Sequence, residues 1–122
     1  MTKHLRKTTI QTIRHKDQVY ETFGDYRIQK GILNLFISRF ENPDYEFLIA
    51  VHEFIESYLI LKKGIKIKDI DKFDKENIDH EDPGCLKSSP YHTEHILSMK
   101  IENILAKHME IDWDKYYNSQ PK

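Results

Sequence analysis

Cysteine is almost absent from this chain. Its single thiol, Cys85, rules out an internal disulfide and a metal cluster built from thiolates, so any metal must be held by histidine and carboxylate. Long apolar runs are missing too. The longest apolar segment is broken by His52, Glu53 and Glu56, and no stretch is suited to crossing a membrane. The first residues, MTKHLRKTTI, lack the apolar run of a secretory signal, which points to the cytoplasm. An excess of one charge is lacking as well. With 19 Lys and Arg against 20 Asp and Glu, the net charge of -1 argues against a dedicated nucleic-acid binder. Residues 1–16 hold basic side chains and no acid, an arm that reads as a solvated tail. There is no internal repeat and no low-complexity segment. What is present is one soluble globular domain over residues 1–122, 39% hydrophobic and 32% charged, with 1–7 and 118–122 as flexible ends.

The patterning changes near Pro43, from period two to period 3.6, and predicts an α+β fold. A β-branched run from Thr8 to Ile13, an alternating run from Asp25 to Gln29 and the run ILNLFISRF predict a small antiparallel sheet of about three strands, with a hairpin turn at Lys30-Gly31. Three helices follow. The central one spans Tyr45–Lys63, capped by Asn42 or Asp44 and closed by Gly64. Its apolar side is predicted to carry Phe47, Val51, Phe54, Ile55 and Tyr58, and its polar band of His52, Glu53, Glu56 and Ser57 to face protein or a cleft. A second, short helix places Ile67, Ile70, Phe73 and Ile78 on one side. After a loop over His80–Ser89, the Ser89-Pro90 pair predicts the entry of a third helix that runs to Met109. His92, His95 and Ala106 share one of its sides, and Leu97, Ile101 and Ile104 another. Aromatics of Asp112–Tyr117 dock back on the body.

Residues four apart on a helix project from the same side, so His52 and Glu56 can reach one ion, with Glu53 offset by about 100°. Desolvating this polar band without partners would cost several kcal/mol, roughly, which calls for a cation or strong donors opposite it. His95 supplies a third ligand, with His92 one turn earlier as its alternate. Two imidazoles and a carboxylate suit Zn²⁺, and also Fe²⁺ or Mn²⁺. The plainer alternative is a hydrogen-bonded or ion-paired His52 and Glu56, with Glu53 in a salt bridge. His80, Asp82 and Cys85 cluster in a stretch whose composition reads as a solvated turn.

The pattern HEFIE resembles the HExxH of zincin metalloproteases, with a carboxylate in place of the second imidazole, and the order of sheet, motif helix and later helix resembles a minimal zincin-like domain. That resemblance implies a metal-dependent hydrolase in which Glu53 acts on water. The segments YEFLIAVHEFIE, DPG, SPYHTEH and DW..Y, over roughly residues 17–117, resemble small uncharacterised proteins of bacteriophage and prophage genomes. This implies a bacterial or phage-infected cytoplasm and brings no activity. Two other readings stand beside the hydrolase. One is a Mg²⁺-dependent nucleotide pyrophosphohydrolase, whose ExxE would be Glu53 and Glu56 with Glu94 or Glu102 added. The other is a non-enzymatic phage accessory protein whose polar cluster fixes helix packing. Substrate and oligomeric state are not legible in the sequence.

Overall fold

Lys30-Gly31, Asn42-Pro43 and Gly64 set the hairpin turn and both ends of the longest helix. The computed structural model describes residues 5–122; residues 1–4 of the basic arm lie outside the described residues. Three strands, β1 (Lys7–Ile13), β2 (Gly24–Gln29) and β3 (Ile32–Ser38), precede four helices: α1 (Pro43–Lys63), α2 (Ile67–Glu76), α3 (His92–His108) and the short α4 (Trp113–Tyr117).

The sheet is mixed, which corrects the expectation of an antiparallel one. β3 is central, antiparallel to β2 and parallel to β1, with Lys7 opposite Ile32 and Ile13 opposite Ser38. Hydrophobicity accounts for this order. Leu33, Leu35 and Ile37 of β3 are fully buried and need neighbours on both sides, whereas the largely exposed KTTIQTI of β1 tolerates an edge. Residues 14–23 bridge the end of β3 instead of turning tightly: the Gln18 amide donates to Phe36 O and Ser38 Oγ, and Arg39 N donates to Ile13 O. The β2–β3 hairpin is as expected. Lys30 and Gly31 have φ of 52° and 77°, the pair of positive values that a two-residue turn of this type needs.

Asn42 caps α1 by accepting from Asp44 N, and Gly64, at φ 76°, closes it. α1 buries its polar band, as expected, but leaves exposed much of the apolar side that was expected to be covered as well. Phe47, Phe54 and Tyr58 are 42–49% exposed, whereas Leu48, Ile49, His52, Glu53, Glu56, Ser57 and Ile60 are buried. The polar band is thus part of the buried face. α1 packs antiparallel on α3: Lys63 ion-pairs with Glu94 near one end, and His52 meets Glu102 further along. Ser57 and Ser98 are buried and small enough for close approach, and each hydroxyl donates to a carbonyl of its own helix.

α3 begins at His92, later than expected. Ser89-Pro90 forms a turn in which Ser89 Oγ accepts from Tyr91 N, and docking Tyr91, whose hydroxyl donates to Asp74, delays the helix. The inward side of α3 is the one that carries His95 and Ala106, as expected, joined by the buried Glu94, Ser98 and Glu102, while Leu97 and Ile104 are exposed. Ile78 falls beyond α2 and is exposed, while Ile70 joins the core. α4 returns Tyr116 to the core, with Asp112 accepting from Lys115 N. At the ends, Arg6 N donates to Gly31 O and Lys122 N to Arg39 O. Among the described residues, no helix is long and apolar enough to cross a membrane.

Candidate metal centre

α1 and α3 bring His52, Glu56 and His95 to one point. His52 Nε2 lies 2.8 Å from Glu56 Oε2 and 3.2 Å from His95 Nδ1, and that Nδ1 lies 2.9 Å from the same Glu56 oxygen. The other nitrogen of each ring is anchored outward: His52 Nδ1 is 2.6 Å from Glu102 Oε1, and His95 Nε2 is 3.0 Å from Asp82 Oδ2. A carboxylate only accepts, so these anchors hold a proton on the outer nitrogen of each imidazole. The inner nitrogens then present lone pairs toward a carboxylate oxygen. Three ligands on a tetrahedral ion at about 2.0–2.1 Å stand about 3.3 Å apart, close to the triangle observed. His52, Glu56 and His95 therefore form a buried cluster that can hold a metal ion.

Without an ion, protons must keep those lone pairs apart, and the titration of the cluster follows. Burial works to lower the His52 pKa, but hydrogen bonds to Glu102 and Glu56 outweigh it and hold the ring well above its ordinary 6.5. At His95 burial is likewise overcome, by Asp82 and Glu56, which bring it to about 9. Burial would raise Glu56, yet the two imidazoles draw it down to about 2. Burial also opposes ionisation of Asp82, and the His95 hydrogen bond reverses that.

Further bonds fix the two carboxylates. Tyr26 donates its hydroxyl to Glu56 Oε1 at 3.2 Å, and Tyr116 donates to Glu102 Oε2. Two glycines make room for the site. A Cβ at Gly84 would come within 2.6 Å of His95 Cγ, and one at Gly24 within 2.5 Å of Glu53 Cγ.

Glu53 lines the adjoining cleft, a concavity of about 670 Å³ walled by α1, β2, α2 and the loop before α3. It is buried and accepts no hydrogen bond from a described residue. Burial, and then the charge of Glu56, push its pKa up to about 8. His92 stands apart from the cluster, with Nδ1 facing Gly84 O at 3.1 Å. Of the loop residues, Asp82 joins the site through His95. Cys85 donates its thiol to Asp82, and burial and that carboxylate push it up to about 12; His80 is exposed and accepts from Asp82 N.

Sequence reasoning missed the anchoring roles of Glu102 and Asp82. Glu102 had a legible signal, since it lies seven residues after His95 and hence on the same side of α3. Asp82, Tyr26 and Tyr116 reach the site from distant elements, which no local spacing encodes. No protein-family model, curated protein or solved structure matches this chain.

Proposed function

We propose that this chain is a metal-dependent hydrolase of zincin-like type, in which His52, Glu56 and His95 hold Zn²⁺ and Glu53 is the general base. The observation that carries the reading is the pair of outward anchors, Glu102 on His52 and Asp82 on His95, which leaves two imidazole lone pairs and one carboxylate oxygen facing each other at 2.8–3.2 Å. Zinc with three protein ligands keeps a fourth position for water and lowers the pKa of that water toward about 7. Glu53, one residue along the helix from His52 and free of hydrogen bonds, takes the proton as the water attacks a carbonyl or similar electrophile. The setting is that of the small phage and prophage proteins that the chain resembles.

Glu94 weakens the magnesium alternative. It is held by Lys63 and Thr93 and does not line the cleft. The test is hydrolysis of a panel of peptide, amide and phosphoester substrates by zinc-loaded protein. Glu53→Gln is expected to keep the metal and lower turnover about 10²–10⁴-fold, the usual contribution of a general base. If loaded wild type turns over none of the panel, or the variant matches it, the accessory reading takes over.

A further inference from the structure

The cleft beside the centre is one-sided in charge. Among the described residues, ten acidic side chains line it, against one lysine or arginine, Arg27. A chain of net charge -1 does not segregate its acids in this way through composition alone. Arg27 is itself divided: Nη1 reaches Asp71 at 3.0 Å, and Nη2 stands 3.1 Å from Asp25 Oδ2, a buried oxygen that still makes no hydrogen bond. On the α2 side the one hydrogen bond to Asp74 among the described residues is from the Tyr91 hydroxyl, at 2.8 Å, and Asp79 and Glu81 stand exposed at the rim. Even a loaded dication would leave this wall strongly negative.

Glu53 points the same way independently. It is 9% exposed, lines the cleft and has no donor among the described residues, so its carboxyl is open to a donor that enters the cleft. Anionic groups would meet repulsion along the whole wall, whereas the rings of Tyr20, Tyr91 and Tyr117, which also line it, are compatible with a cation.

We propose that the substrate taken by this cleft carries an organic cation, an ammonium or guanidinium group, seated against the acidic wall that runs from Asp74 to the rim carboxylates Asp79 and Glu81. The word substrate rests on the hydrolase reading above; the recognition of a cation does not. The experiment is calorimetric titration of zinc-loaded protein with agmatine, spermidine and the N-acetylated, C-amidated peptides Gly-Arg-Gly, Gly-Ala-Gly and Gly-Glu-Gly, at low and high salt, with zinc content measured on the same samples. Basic probes are expected to bind at least about tenfold more tightly than the neutral peptide, with affinity falling as salt rises. Tighter binding of Gly-Arg-Gly than of agmatine and spermidine assigns the cation to a peptide, and the reverse order to a small amine. Asp79→Asn with Glu81→Gln, both at the exposed rim, should weaken basic probes severalfold without changing zinc content.

Equal binding of Gly-Glu-Gly and Gly-Arg-Gly, or displacement of agmatine by Mg²⁺, overturns the proposal. Zinc bound without preference for a cation defeats this inference and spares the metal reading. Preference for a cation in protein that takes up no zinc does the opposite.

Discussion

Each imidazole of the cluster is gripped from two sides, and this decides how the site responds to protons and to substitution. In the metal-free protein His52 and His95 have raised pKa values, so their contribution to stability is complete below the ordinary 6.5 and is lost as pH rises through the raised values, about 9 for His95. Glu53, raised from 4.5 to about 8, acts in the same direction over a lower window, complete below 4.5 and lost as pH rises through about 8. The metal-free melting temperature should therefore fall between pH 6.5 and 9, and zinc, which replaces those protons, should flatten the decline and release protons on binding. Thermal melts at several pH values, with and without zinc, check this; a flat metal-free profile counts against the protonated cluster. Glu102→Gln and Asp82→Asn remove the outer anchors and should lower zinc affinity about 10–100-fold while the folded far-ultraviolet spectrum is kept. Gly84→Ala drives a methyl into the His95 ring and should also weaken zinc, whereas Gly64→Ala, with open space beside it, strains only the backbone. The core of the site, His52 and Glu56 with His95, was legible because helical spacing and burial of a polar band are local facts. Its outer anchors depend on contacts between distant segments, and only Glu102 left a trace in the spacing.

The elements were legible where the chemistry of a boundary is local. Asn42-Pro43 and Gly64 mark the ends of α1, and Lys30-Gly31 marks the hairpin. Sheet order was not, because alternation identifies a strand without naming its neighbour; only the density of buried side chains in ILNLFIS hints that β3 is central. Burial of the polar band of α1 was legible, but the exposure of its apolar side was not, for a related reason. A helix apolar nearly all round offers two faces, and the pairing of His52, Glu56, His95 and Glu102 between α1 and α3 selects the polar one. Two substitutions separate these roles. Leu35→Ala, at a fully buried site in β3, should cost about 2–5 kcal/mol in denaturant unfolding. Phe54→Ser, on the exposed face of α1, should stay within about 0.5 kcal/mol of wild type. Equal costs would mean that the exposed face is covered.

At the scale of the whole molecule, sheet, α2 and loop enclose one side of an antiparallel helix pair, and the enclosed side carries the polar cluster. A fold that held this cluster only for packing would have little use for two imidazole lone pairs and a carboxylate aimed at one point, because well-packed apolar residues usually serve stability as well or better. The direct test is to strip the purified protein with a chelator, titrate it with zinc by calorimetry and determine the metal that remains after gel filtration. The account predicts about one zinc per chain, retained in Glu53→Gln, lost in His52→Ala and in His95→Ala, and unchanged in His92→Ala. A folded protein that takes up no zinc, or one whose zinc survives both His52→Ala and His95→Ala, contradicts it.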